Sequence, residues 1–564
     1  MVLFYEALAC TIKINVLLTQ VFSCVAARKL FNEFISDFSP CIKLNRTSQA
    51  VTVLAGPMRL HRSRDISLHT LGPRGQPSQS LLTLPLYIPA CDLFTYLVQF
   101  ASQFPNMPQQ KTSSLKTYFD EIAETNGDDE CRAWLDKVFD SKAELVTFVA
   151  SRREGGGTGN YVGFLKGSFN FSFRISFSDG PDAIIRFPKP GQTAFRDEKV
   201  VNEVQIMEYL SQNTTIPIPH VHSWGLTTES PQQFGPFIIM DYIDGTLLST
   251  VLKQPHESDQ EDVVLNPNID NTTLDKIYHQ IADYMLQLSQ LTFTHIGAIS
   301  IDHASNTWAV TRRPLTYNMN ELATVAGYPD NQFPTAPFDR ASDYLMSVAN
   351  EHLTHLWTQR NLADNPEIAQ ERFIARHRFA QLIPKYCIDD AGPFIPFCDD
   401  MRPSNMLINP ETLCITAVLD FEFTNIMPAQ FTYDPPWWLL LSGPEMWLDR
   451  CSMEEFLARY EPRMEQFLRA LERVEEESAL RRKRPSGPHL SARMRDSWRA
   501  GRFWFNYAAR KSFEVDAVYW AALNNGDADA ELLDDKARAK MKLFVQTKME
   551  QLKAYKEECT ARFS

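Results

Sequence analysis

The chain runs to 564 residues, with a formal charge of −13 and 44% hydrophobic residues. That length is enough to bury at least one large core, and the acidic balance excludes a nucleic-acid binder, which needs a basic surface against phosphates. Ten cysteines without a Cys-x-x-Cys pair or regular spacing indicate neither a disulfide framework nor a zinc site, so a reducing, cytoplasmic setting is expected.

Met1 to Ala27 is apolar, but Glu6 and Lys13 interrupt it, and the uncharged stretch from Ile14 to Ala27 is too short to span a bilayer. No stable membrane span is expected, and the segment reads as a leader, with a targeting segment as the alternative. Through Asn106 the prolines Pro57, Pro73, Pro77, Pro85 and Pro89 interrupt every period. Residues 1–110 are therefore an unassigned leader, expected to be disordered in part. Helical patterning begins after Ser113, with Tyr118, Ile122, Trp134, Val138, Phe139 and Leu145 spaced for apolar faces. The run Gly155-Gly156-Gly157-Thr158-Gly159 then breaks the chain.

Beyond it, Phe169, Phe171, Phe173, Ile175 and Phe177 alternate strictly, Asp179-Gly180 makes a turn, and Ala183 to Phe187 returns. That pattern predicts a hairpin with one buried face. A helix is expected from about Asp197 to Leu210, stopped by Asn213 and the prolines Pro217 and Pro219. After Pro236 a buried strand, Phe237 to Met240, leads into Asp241-Tyr242-Ile243-Asp244-Gly245. The remainder is mainly helical: Ile277, Ile281, Tyr284, Met285, Leu288 and Leu291 form one apolar stripe, and Met453, Phe456, Leu457, Tyr460, Met464, Phe467, Leu468 and Leu471 another. The basic run from Arg481 to Arg484, following Glu475 to Glu477, reads as a solvated linker. The expected organisation is α+β and bilobal: a helical lead-in and small β-rich lobe over 111–245, then a larger, mainly helical lobe over 246–564.

The sharpest chemistry lies in Cys398-Asp399-Asp400-Met401-Arg402-Pro403-Ser404-Asn405, followed by Asp420-Phe421-Glu422. Phosphoryl transfer needs a carboxylate to orient the attacking hydroxyl and separate oxygen ligands for magnesium. Asp400 and Asn405 stand five residues apart, the spacing of Asp and Asn in the kinase catalytic loop. Met406-Leu407-Ile408 and Ala417-Val418-Leu419 read as paired short strands, so Asp420 should emerge at a strand end beside Asn405.

These residues resemble the aminoglycoside phosphotransferase and choline-kinase-like family, including fungal members of unknown substrate, whose loop reads His-Gly-Asp-x-x-x-x-Asn and whose metal Asp follows on a strand. Asp-Phe-Glu in place of Asp-Phe-Gly favours that family over protein kinases. The resemblance, covering about Gly163 to Leu441, implies a protein-kinase-like fold and an ATP- and Mg2+-dependent transfer of the γ-phosphoryl group to a small-molecule hydroxyl acceptor. It makes Asp400 the catalytic base and Asn405 and Asp420 the magnesium ligands. It places Gly167, Ser168 and Asn170 over the nucleotide phosphates, Arg186 where a Lys usually meets them, Glu203 as the partner of that cation, and the backbone around Met240 and Tyr242 at the adenine. Lys189 is the alternative cation. Two departures stand out: Cys398 for the loop His, and Arg186 for Lys. They motivate the alternative, a nucleotide-binding pseudokinase with a regulatory or scaffolding role.

Bland readings apply to the neighbours. Asp399 is expected to be a structural loop carboxylate, Trp437 and Trp438 core packing, His295 a packing residue, and Asp434 with the cluster from Asp527 to Asp535 a solvated face. Glu422 either assists the metal or anchors its loop.

Overall fold

The fold comes from a computed structural model, which describes residues 43–47, 50–54, 119–153, 155–255, 263–302, 304–481, 488–524 and 533–563. The chain divides into two compact units, Met1–Lys111 and Thr112–Ser564. In the first, the described residues form an antiparallel hairpin of β1 (Lys43–Thr47) and β2 (Ala50–Leu54), in a stretch where the sequence shows no usable period. The rest of the leader, the basic run at 482–484 and the acidic residues 527–532 lie outside the described residues.

The second unit opens with α1 (Glu121–Asp140) and α2 (Lys142–Arg152). Asp120 caps α1, its carboxylate accepting from the Ile122 and Ala123 N–H groups at 3.0 and 3.2 Å. A five-stranded antiparallel sheet follows in the order β3 (Gly159–Lys166), β4 (Asn170–Phe177), β5 (Gly180–Pro188), β7 (Phe237–Asp241), β6 (Val221–Gly225). The hairpin and the 237–240 strand were legible in the sequence; β3 and the edge strand β6 were not, because glycines and polar residues blur their alternation. In register, Phe171 faces Phe187, Phe173 faces Ile185 and Ile175 faces Ala183. These side chains are buried with Trp134, Val138, Leu145 and Val149, so α1 and α2 cover one face of the sheet. Each such buried aromatic or aliphatic side chain stabilises the lobe by roughly 1.5–3 kcal/mol. Alternation turns Arg186 to the opposite face, toward α3 (Arg196–Asn213).

After β8 (Thr246–Leu247), the larger lobe is built on α4 (Asn271–Leu288), α5 (Tyr317–Val325), α6 (Ala341–Thr358), α7 (Pro366–Tyr386) and α8 (Met453–Arg481). The two predicted stripes meet: Ile277, Tyr278 and Ile281 of α4 share one core with Tyr460, Phe467 and Leu471 of α8. Between the helices lie two further antiparallel pairings, β9 (Ala298–Asp302) with β10 (Thr307–Arg312) and β11 (Phe394–Phe397) with β14 (Asn425–Pro428). The chain closes with α9 (Leu490–Arg499), α10 (Arg502–Ala509) and α11 (Asp535–Phe563). The segment after α10 is tied down by Asp516, fully buried, which accepts from Arg372 at 2.6 Å and from both Nε and Nη2 of Arg376 at 2.9 Å. Among the described residues no helix is long and apolar enough to cross a membrane.

Candidate active site

The loop from Cys398 to Asn405 joins β11 to β12 (Met406–Asn409), which pairs antiparallel with β13 (Cys414–Val418), Met406 facing Val418 and Leu407 facing Ala417. The hairpin delivers the expected juxtaposition: the Leu419 N–H donates to the Asn405 carbonyl at 2.7 Å, and the chain then turns at Asp420, whose φ of 64° is left-handed. Asn405 Nδ2 donates to the Asp400 carboxylate at 2.7 Å and to its carbonyl at 3.0 Å. With the amide nitrogen so engaged, the Asn405 amide oxygen is left to face a cation. Burial pushes the Asp400 carboxyl up from its ordinary range, against the pull of Arg402, whose Nε lies 2.6 Å from Oδ1.

Arg186 pairs with Glu203 on α3 and lies 3.3 Å from Asp420, so strand, helix and metal-side loop meet at one guanidinium. Burial opposes the charge on Arg186, but Glu203, Asp420 and Glu422 outweigh it and hold the group cationic. A second buried pair stands beside the first. Lys199, one turn before Glu203 on α3, pairs with Glu422 and also donates to Asn170 Oδ1 at 2.9 Å, while Asn170 Nδ2 donates to Glu422 at 2.8 Å. Glu422 thus anchors its loop. Burial first, and Glu422 second, lift the Asp420 carboxyl well above its usual range although Arg186 and Lys199 pull it down. An oxygen donor set of Asn405 and Asp420, with a carboxylate whose ionised form needs a further cation, fits magnesium.

These contacts also place the other residues expected at the site. Lys189, buried and pushed below its usual range by burial, donates to the Ser168 carbonyl at 3.0 Å and so holds the turn. The Gly167 N–H closes that turn on the Asn170 carbonyl at 3.0 Å, and the Asn170 side chain is spent on the Lys199–Glu422 pair, leaving the turn's middle to face the cleft. Met240 is paired in the sheet with Ile184, and the Tyr242 N–H donates to the Asp182 carbonyl at 3.0 Å. The Tyr242 ring carries the Arg174 guanidinium 3.8 Å from its centroid. His295 is exposed beside Asp339, not packed, because it follows the strand-like bridge at Phe293 on the solvent side. Asp434 is buried, not solvated: Ser497 and Asn506 donate to it, and burial pushes it to about 7.

The structural role expected for Asp399 is met by its pairing with Arg510. Cys398 is half-buried, and burial pushes its thiol up to about 12, so it supports the loop without charge. Trp438 packs in the core, whereas Trp437 is half-buried and donates its indole N–H to the Asp399 carbonyl at 3.0 Å. Lys511 went unremarked in the sequence, as nothing near it repeats a motif. Its ammonium lies 5.3 Å from the Trp437 ring, 5.2 Å from Tyr507 and 5.9 Å from Tyr317. Burial pushes Glu321 and Glu514, two carboxylates whose charge it partly balances, to about 7. Arg402 was visible in the loop, and only its contact with Asp400 reveals a role.

The model of the family described as "Phosphotransferase enzyme family" matches residues 163–471, more than half of the chain. Clavilactone A biosynthesis cluster protein Y of Ampulloclitocybe clavipes is 23% identical over 291 residues, 48% of this chain and 62% of that protein. Altered inheritance of mitochondria protein 9, mitochondrial, of Debaryomyces hansenii is 21% identical over 305 residues, 47% of this chain and 46% of that protein. The matches thus span about half to three-fifths of these relatives' own lengths. A solved structure of an aminoglycoside phosphotransferase, in ternary complex with AMP-PNP and hygromycin B, is 12% identical with a TM-score of 0.36, covering 72% of this chain and 98% of that one.

Proposed function

We propose, from the premise that the chain belongs to the phosphotransferase enzyme family, that it transfers the γ-phosphoryl group of ATP to a hydroxyl of a small molecule. The observation that carries this reading is the convergence of Asp400, Asn405 and Asp420 with the Arg186–Glu203 pair at one cleft. Asp400 accepts the hydroxyl's proton or orients the hydroxyl, held in place by Asn405. Arg186, fixed by Glu203, presents a permanent charge and a planar pair of donors to the phosphates, where a Lys would present a point charge. Asn405 and Asp420 would hold Mg2+, which supplies charge neutralisation on the phosphate oxygens when bound. The turn at Gly167 and Ser168, braced by Lys189, would cover the phosphates. Positioning of both reactants lowers the barrier.

One observation favours the pseudokinase reading: Arg402 caps the Asp400 carboxylate, and must swing away before a hydroxyl reaches it. The same experiment separates the two. Magnesium-dependent ATP binding is measured by calorimetry and slow hydrolysis in the same samples, on wild type, Asp420→Ala and Asp400→Ala. Binding lost in Asp420→Ala, with turnover but not binding lost in Asp400→Ala, supports the transferase. Binding without turnover in wild type selects the pseudokinase, and no nucleotide binding by folded wild type overturns both.

A further inference from the structure

Outside the cleft, the sheet's edge strand carries residues that neither the motif nor the proposed reaction uses. His220 and His222 flank Val221, and across from them β7 ends at Asp241, whose N–H donates to the His220 carbonyl at 3.0 Å. In regular pairing two residues apart on one strand share a face. Here the register of β6 on β7 shifts between Val221 and Ser223, so His222 sits at a bulge, a device that re-aims a side chain. The outcome is a close cluster. His222 Nε2 is 2.9 Å from Asp241 Oδ1, the two imidazole rings are 5.0 Å apart, and one donor atom from each of His220, His222 and Asp241 lies within 4.8 Å of the others.

We infer that His220, His222 and Asp241 form a binding site for a divalent transition metal of the zinc type. Two imidazole nitrogens and one carboxylate oxygen are the three-ligand set such an ion takes with an open fourth position. Donors around a tetrahedral zinc stand about 3.3 Å apart, given zinc–nitrogen distances of about 2.0–2.1 Å, so small side-chain rotations close the set. His222 is the buried member of the set: its side chain is 8% exposed, and its Nε2 is the nitrogen turned toward Asp241. His220 is exposed, so the open position faces solvent. Asp241 is the last residue of the sheet before the linker to the larger lobe, and a bound ion would clip the edge strand to that linker.

The test uses the full chain, stripped with a chelator. It is titrated with Zn2+ against a chromophoric chelator and, separately, with Co2+, read by visible absorption. The expected result is one equivalent bound with the intense bands of four-coordinate cobalt, and a loss of affinity of more than about tenfold in His220→Ala and in Asp241→Asn. His220→Ala removes an exposed side chain and should melt as wild type does without metal. His222→Gln serves as a third variant that keeps a polar group in the bulge. No stoichiometric binding overturns the inference, as does binding that survives both His220→Ala and Asp241→Asn, which places the ion elsewhere and leaves a hydrogen-bonded pair.

Discussion

The two sides of the cleft are built differently. On the side proposed to hold the nucleotide, Arg186, Lys199 and Glu203 come from one strand and the helix after it, within a span of 18 residues, and meet Asp420 and Glu422 in two buried ion pairs, with Asp420 beside Arg186 as a third carboxylate against two cations. On the side proposed for the acceptor, Tyr317, Glu321, Trp437, Tyr507, Lys511 and Glu514 come from segments far apart in sequence. Three of these, Tyr507, Lys511 and Glu514, lie beyond residue 471, where the family match ends. The charges there are unbalanced: burial holds Glu321 and Glu514 near 7, with Lys511 the cation close to both. Ion pairs on short connections hold the first side together, whereas the second depends on how a separate helical segment packs.

Four substitutions test that contrast. The largest effect is expected from Asp400→Asn, which keeps the Asn405 contact but removes the proton acceptor: turnover should fall by about 10²–10⁴-fold with nucleotide affinity unchanged by calorimetry. Next is Glu203→Ala, which leaves Arg186 buried with Asp420 as its remaining ion-pair partner and Glu422 nearby. Denaturant unfolding should show a loss of about 3–5 kcal/mol, and nucleotide affinity should drop while the acceptor KM holds.

Glu351, which lines a cavity with Tyr317, supplies a test of burial alone. It is buried, accepts from Asn318 at 3.1 Å, and burial pushes it to about 8. A raised folded pKa means that its ionised form is disfavoured in the folded state, so stability falls as pH rises from about 4.5, the unfolded value, to about 8. Glu351→Gln should flatten that slope and raise stability at pH 8 by up to about 4 kcal/mol, read as melting temperature against pH. The smallest effect is expected from Lys511→Met. Once an acceptor is known, its KM should shift several-fold, about 1 kcal/mol, with nucleotide affinity untouched; a change in nucleotide affinity instead would erase the division between the sides.

The nucleotide side was the legible one because its signals are local. Alternating Phe171, Phe173 and Ile175 announce a strand with one buried face, and Asp400, Asn405 and Asp420 hold a spacing that a tight loop and a two-strand hairpin enforce. The pairing of Arg186 with Glu203 followed from one strand and the next helix. Illegible were the contacts whose partners are distant: Arg402 reads the same in the sequence whether it caps Asp400 or points to solvent, and Lys199 has no neighbour in sequence that foretells Glu422. Asp434 reads as a surface carboxylate until α9 and α10 close over it with Ser497 and Asn506.

By itself, then, the sequence determined the central hairpin, the long helical stripes and the spacing of Asp400, Asn405 and Asp420, since backbone periodicity and loop spacing are short-range properties; β1, β2, β3 and β6 it left unread. The tertiary structure alone decided which charges are buried together. It spent Lys189 and Asn170 on bracing the phosphate turn, brought Lys511 to the aromatic rings, and bulged His222 toward Asp241. Burial is a property of the packed whole, and the energy of a charged side chain depends on burial more than on identity.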